Sequence, residues 1–511
     1  MKTVLAIDQG TTGSTCLVIA ADGRVLGRGY REIPQHYPRP GWVEHEPDDL
    51  VRQTVAAAHD AIAAAGVAPD CIGITNQRET VVVWERATGR PVGRAIVWQD
   101  RRTSARCAEL ATHAARITAC TGLVVDPYFS ATKLEWLLRD ERLAARARAG
   151  ELAAGTVDSW LVWSFTGGRV HATDPTNASR TMLFDIDRMT WSEELCALFG
   201  VPMSLLPEVR PSSGAFGVAR AELFGREMPI TGIAGDQQAA LFGHGCWEAG
   251  EAKNTYGTGA FLLVNAWRQR PPAGDGLLAT VACDRSGGAA YAVEAAIFIA
   301  GAALQWLRDG LALLERAAES EALARSVPDT GGVMFVPALV GLGAPYWEPE
   351  ARGTIVGITR GTTRAHFARA ALEAMAYGTD DVLRVVRRRT GLPFDRLRVD
   401  GGAAANDWLM QFQADVLGVP VERPQSVELT ALGAAGLAGL AAGVWPSADA
   451  FLAARTYARF EPGEGAPAAQ QGRDAWARAV RTALYWARDA GGAPSDGRDE
   501  SGAVAKAGAA R

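Results

Sequence analysis

The run Asp8-Gln9-Gly10-Thr11-Thr12-Gly13-Ser14-Thr15 puts one carboxylate, two glycines and four hydroxyls into a short segment. Glycine lets a ligand approach the backbone closely, and free N–H groups with hydroxyls suit phosphate oxygens. A carboxylate at a strand end suits hydrated Mg²⁺. The common phosphate loop is a different object, because it carries Lys-Ser/Thr and opens a helix. An ordinary hairpin has the same local composition, so the segment alone leaves both readings open.

Three further constellations carry chemistry. Asp236 follows the apolar run Pro229 to Ala234, where a helix begins, and a carboxylate there can take a proton from a hydroxyl attacking phosphorus. A plain N-cap fits the same position. Arg78-Glu79 emerges from Ile72-Gly73-Ile74, and the donor–acceptor pair can hold a small polyol's hydroxyls. A surface ion pair on a hairpin is the alternative. Gly402 and Asn406 follow Leu397-Arg398-Val399, where glycine lets a flat base or a phosphate lie against backbone, as a tight strand-to-helix turn also would. The histidines form no metal pattern, and no nucleophilic triad can be read from spacing. Trp98, after Ala95-Ile96-Val97, fits core or cleft wall.

The elements that must position these groups are strands alternating with helices. Val4 to Ile7 and Cys16 to Ile19 read as strands around the opening turn, and Asp22-Gly23 leads into a third at Val25-Leu26. Asp48 to Ala65 reads as an amphipathic helix, and Val81 to Trp84 as a strand. A second Gly/Thr turn, Asn254-Thr255-Tyr256-Gly257-Thr258-Gly259, precedes the apolar run Phe261 to Val264. This turn lies about half a chain from the first, which suggests two domains of related design with a hairpin each on a shared cleft. A helix through Asn406 to Leu417 is expected. Strand–helix alternation indicates an α/β protein.

Net charge −5 and pI about 5.9 argue against nucleic acid or an anionic membrane as partner. Seven cysteines at scattered positions, without metal-ligand spacing, fit buried thiols in a reducing compartment. Leu429 to Trp445, with glycines at 433, 436, 439 and 443, is too short and too weakly apolar for a membrane span and reads as a closely packed helix. The opening residues are too short for a signal peptide, so a cytoplasmic protein with no integral membrane segment is expected. The tail from 491 to 511 is expected to be disordered.

Taken together, these residues resemble the FGGY carbohydrate kinase family over nearly the whole chain. The blocks that carry the likeness include Asp8 to Thr12, Pro40 to His45, Gly73 to Thr80, Ile96 to Gln99, Asp126 to Ser130, Asp174 to Met182, Gly232 to Gly243, Asn254 to Gly259, Gly341 to Trp347 and Val399 to Asn406. Asn76-Gln77-Arg78-Glu79-Thr80 and Asp126-Pro127-Tyr128-Phe129-Ser130 are similar to the members that phosphorylate glycerol. The resemblance implies two actin-like, ribonuclease H-like α/β domains, 1–245 and 246–490, with the nucleotide cleft between them. It implies transfer of the γ-phosphate of ATP to glycerol, with Mg²⁺, in a homodimer or homotetramer. Asp236 would be the general base, and Asp8 and Asp236 would hold Mg²⁺. Arg78, Glu79, Tyr128, Asp236 and Gln237 would bind glycerol's hydroxyls, with Trp98 and Phe261 over its carbons. Thr11, Thr12, Gly13 and Thr258 would meet the phosphates; Gly301, Gln305, Gly402 and Asn406 would hold the nucleotide further out.

The chain departs from the family pattern in places. Gly13-Ser14-Thr15 stands where many members have Ser-Ser-Arg, so Thr15 replaces a phosphate-holding arginine. The stretch 218–228 lacks the Gly-Gly-Lys-Gly-Gly loop that binds fructose 1,6-bisphosphate in some members, and lacks a histidine for phosphorylation. The C-terminal segment departs from the enterobacterial pattern for a sugar-phosphotransferase subunit. A kinase for another small polyol or ketose, and an actin-like ATPase without kinase activity, are the alternatives.

Overall fold

The computed structural model describes residues 1–425 and 428–489; the expected disordered tail lies outside them. The first half builds a six-stranded sheet from β1 (Thr3–Gln9), β2 (Gly13–Ala20), β3 (Val25–Glu32), β4 (Cys71–Asn76), β5 (Val218–Ala219) and β6 (Met228–Gly235), in the order β5-β6-β4-β1-β2-β3. The second half builds a seven-stranded sheet from β7 (Ala252–Tyr256), β8 (Ala260–Trp267), β9 (Leu278–Cys283), β10 (Ala289–Ile297), β11 (Leu397–Asp400), β12 (Val421–Pro424) and β13 (Tyr457–Phe460), in the order β9-β10-β8-β7-β11-β12-β13.

The repeat suggested by the two Gly/Thr turns is a repeat of topology. In the first sheet β1, β2 and β3 run antiparallel, while β4 and then β6 add parallel to β1. In the second, β7, β8 and β10 form the antiparallel run, while β11 and then β12 add parallel to β7. Each sheet thus has a central parallel set whose strand ends face one way, the place where α/β sheets bind ligands.

Branched apolar runs bury these strands: Val4 to Ile7 and Cys16 to Ala20 are nearly inaccessible. Helix α1 (Pro47–Ala65) starts with Pro47, has Asp48 and Asp49 in its first turn, and stops at a left-handed Gly66. Helix α2 (Asp236–Gly243) follows β6 directly. Later helices include α3 (Gly301–Asp309), α4 (Arg364–Thr390), α5 (Asp407–Leu417), α6 (Leu429–Ala441) and α7 (Ala466–Asp489). Helix α6 belongs to the chain's second half but packs on β1, β4, β6 and α2 of the first. Its small residues permit this: a Cβ on Gly433 would lie 1.8 Å from Ala239 O. No described helix is long and apolar enough to cross a membrane.

Two local readings are corrected. Asp8, Gln9 and Gly13 to Thr15 belong to strands, because the ladder pairs Asp8 with Thr15 and Gln9 with Ser14; the turn proper is only 10–12. The helix expected through Asn406 begins at Asp407: Gly402–Ala405 forms a 3₁₀ turn and Asn406 is extended.

Candidate active site

Sheet register brings the first group of residues together. Gln9 lies level with Asn76, and Asn76 with Gly235, so Asp8, the Gln77–Thr80 segment and Asp236 leave the same edge. The β1–β2 hairpin closes with Gly10 N–H donating to Gly13 O at 2.9 Å, with Thr11 and Thr12 at its tip. Trp98 reaches this tip: its indole N–H donates to Thr11 Oγ1 at 2.8 Å, and its ring meets Tyr128 edge-on at 5.5 Å. Ser14, in the stretch that departs from the family pattern, shares a 2.7 Å hydrogen bond with Thr54.

Arg78 and Glu79 enter a buried four-residue charge cluster. Arg78 donates to Glu294 through Nη1 at 2.7 Å and Nη2 at 2.8 Å, and to Gln238 Oε1 at 3.1 Å. Glu79 accepts from Arg180 Nε at 2.7 Å, and Arg180 Nη2 lies 3.1 Å from Glu294 Oε1. Glu79 has φ 62°, a left-handed conformation uncommon for a side chain of this size. Burial works to raise Glu294, yet Arg180 and Arg78 hold it down at about 2. Burial wins at Glu79 and Tyr128, whose pKa values are raised despite Arg78 and Arg180. The surface-pair alternative for Arg78-Glu79 is thereby excluded: both side chains are almost wholly buried.

Asp236 opens α2 with its carboxylate one-third exposed. Arg78 Nε lies 3.2 Å from Oδ1, which also accepts from Gln237 N–H at 2.7 Å. Gln237 Nε2 is 3.4 Å from Oδ2, and Gln237 Oε1 accepts from Lys253 Nζ at 2.5 Å. Lys253 Nζ also meets the carbonyl of Phe261. Asp236 therefore has hydrogen-bond donors on one side and solvent access on the other, as a proton acceptor requires.

The second sheet repeats the arrangement. Thr255 lies level with Asp400, so Gly257-Thr258 and Gly401-Gly402 leave one edge. A cavity of about 500 Å³ lies there, and Thr258, Gly301, Gln305, Gly402 and Asn406 all line it. Gly257 O accepts from Gly301 N–H at 2.9 Å, which ties the hairpin to the start of α3. Gly401 has φ 86°, and a Cβ there would lie 2.3 Å from Tyr256 O. Asn406 caps α5 through Leu409 N at 2.9 Å, and its amide nitrogen lies 3.4 Å from Ser320 Oγ. The tight-turn reading of this segment and its place on the cavity both hold.

The donor set fits Mg²⁺. Burial, with the charges of Asp236 and Glu428, pushes the Asp8 carboxyl up to about 8, so a cation beside these carboxylates would relieve their repulsion. Among the described residues no group of three or more histidine, cysteine or acidic side chains is placed to hold a metal. Two carboxylates leave the remaining positions to water and phosphate oxygens, which suits Mg²⁺.

Sequence reasoning missed Glu294, Arg180 and Lys253. Glu294 is the only charge in Ala289–Ile297, and Lys253 the only one in Ala252–Tyr256. A lone charge in an otherwise buried strand was the available signal, since burying it demands a partner.

The FGGY family of carbohydrate kinases matches the chain twice, its N-terminal domain over residues 3–243 and its C-terminal domain over 252–442. A glycerol kinase of Polaromonas naphthalenivorans is 56% identical over 459 residues, covering 88% of this chain and 92% of that protein. A glycerol kinase of Bordetella parapertussis is 53% identical over 501 residues, covering 96% and 98%. The crystal structure of Plasmodium falciparum glycerol kinase with ADP superposes with TM-score 0.90 at 34% identity, covering 95% of this chain and 98% of that one.

Proposed function

The chain belongs to the FGGY family of carbohydrate kinases, and we propose that it transfers the γ-phosphoryl group of ATP to glycerol, giving sn-glycerol 3-phosphate and ADP. The observation that carries the reading is Asp236, a carboxylate one-third exposed and braced by Arg78 and Gln237, at the edge from which the hairpin of Thr11 and Thr12 also projects. Asp236 accepts the proton of the attacking hydroxyl. The glycerol hydroxyl oxygen forms the new bond to the γ-phosphorus as the bridging P–O bond breaks and ADP leaves.

Arg78, Glu79, Tyr128 and Gln237 hold the hydroxyls, while Trp98 and Phe261 cover the carbons. Thr11, Thr12, Gly13 and Thr258 meet the phosphates. Gly301, Gln305, Gly402 and Asn406 seat the rest of the nucleotide in the 500 Å³ cavity. Asp8 and Asp236 would hold Mg²⁺, which supplies charge neutralisation on the phosphate oxygens. Positioning and water exclusion supply much of the remaining acceleration.

The seven free cysteines support a cytoplasmic site of action. A homodimer or homotetramer is the assembly the family resemblance implies, and sedimentation velocity distinguishes the two. The reaction is tested by coupled ADP release across glycerol, dihydroxyacetone, erythritol and pentuloses. Glycerol is expected to give the highest kcat/KM; turnover no greater than in buffer would refute the assignment, and a preference for a pentulose would favour the sugar-kinase alternative.

A further inference from the structure

Lys253 is fully buried on β7, and its three ammonium hydrogens meet three acceptors. These are Gln237 Oε1 at 2.5 Å, Thr255 Oγ1 at 2.9 Å and the Phe261 carbonyl at 3.3 Å. Burial lowers its pKa to about 8, although Asp400, Asp236 and Glu294 all favour the charged form. A buried ammonium is costly to hold, and a merely space-filling role would be served by methionine.

An ammonium only donates. The Gln237 atom that faces it must therefore be the amide oxygen, which turns the NH₂ group towards Asp236 Oδ2. We propose that Lys253 is a positioning residue that commits the Gln237 amide to donating to the substrate hydroxyl. The inference rests on the reading of Gln237 as a polyol contact. A hydroxyl that accepts from Gln237 and donates to Asp236 has one lone pair left for phosphorus. Lys253 thereby selects which way the attacking oxygen is turned.

The test is steady-state kinetics of the full chain, varying glycerol and ATP separately. Lys253→Met is expected to raise the glycerol KM at least tenfold and to leave the ATP KM within twofold. Gln237→Glu keeps an acceptor for Lys253 but removes the donor; it should raise the glycerol KM comparably without lowering Tm. The double variant should be no worse than the poorer single variant. An unchanged glycerol KM in Lys253→Met would overturn the proposal, as would equal rises in both KM values. If Lys253→Met does not fold, Lys253→Gln, whose amide can donate or accept and so no longer fixes the Gln237 amide, decides: an unchanged glycerol KM overturns the proposal, and a tenfold rise with the ATP KM within twofold supports it. Absence of glycerol turnover in the unmutated chain would instead defeat the reaction itself, and the positioning role with it.

Discussion

Arg78, just beyond the first sheet, and Glu294, inside the second, join the two halves of the protein through two parallel hydrogen bonds of 2.7 and 2.8 Å. Both side chains are buried, and the same guanidinium reaches Asp236 at 3.2 Å. One arginine therefore links the sheet–sheet interface to Asp236, the proposed proton acceptor. Removing Glu294 leaves two buried arginines short of a partner, and breaking a buried pair costs about 3–5 kcal/mol. Glu294→Ala is expected to lower unfolding stability by about that amount in urea titration and to raise the glycerol KM. A variant of unchanged stability and KM would show the pair to be incidental.

Asp236→Asn keeps the shape of the proposed proton acceptor but removes its basicity. General-base contributions are about 10²- to 10⁴-fold, so kcat should fall by that factor while the glycerol KM changes little. Near-wild-type ADP release from the variant would refute the proposed base.

The Trp98–Thr11 hydrogen bond connects the ring proposed to cover the polyol carbons to the tip of the hairpin proposed to meet the phosphates. Trp98→Phe retains a ring and loses the N–H. A net hydrogen bond is worth about 0.5–1.5 kcal/mol, so kcat should fall by roughly 2- to 12-fold. Thr11→Val should produce a similar loss, and the pair should be less than additive, because each removes the same contact. Additive losses would mean that the two residues act separately.

The hairpins carrying Thr11–Thr12 and Thr258 lie on separate sheets and are proposed to meet the phosphates of one nucleotide. The two halves are therefore expected to close on glycerol together with a non-hydrolysable ATP analogue. Small-angle scattering should register a smaller radius of gyration than for the free protein. Identical curves would argue that the cleft is already in its working form.

Asp158 gives a pH dependence of stability. It is wholly buried and accepts hydrogen bonds from Thr156 at 2.5 Å and Thr173 at 2.6 Å. Burial nonetheless pushes its carboxyl up to about 7 from 3.8, against those hydrogen bonds. The folded chain then holds a proton that the unfolded chain has released, so this contribution to stability is full below the unfolded value and is lost as pH rises through 7. The slope approaches about 1.4 kcal/mol per pH unit within that window. Asp158→Asn should flatten the Tm profile between pH 5 and 7.5 relative to wild type; parallel profiles would place the titration elsewhere.

The sequence by itself determined the strand runs, the two Gly/Thr turns and the positions of Asp8, Asp236 and Gly402, because these depend on local backbone preference and short-range order. It also carried the family resemblance, since the motif blocks are contiguous. Tertiary structure alone decided the partners. Glu294 is 216 residues from Arg78, and Arg180 is 101 from Glu79. No local preference pairs residues at such separations; the burial of a charge, affordable only beside its opposite, does so. Lys253 and Gln237 are only 16 residues apart, yet they sit on a strand of the second sheet and on the helix that follows the first, and the hydrogen bond between them is set by that packing. Helix α6 shows the converse: its small residues are plain in the sequence, but only packing reveals that they seat it against the sheet of the other half.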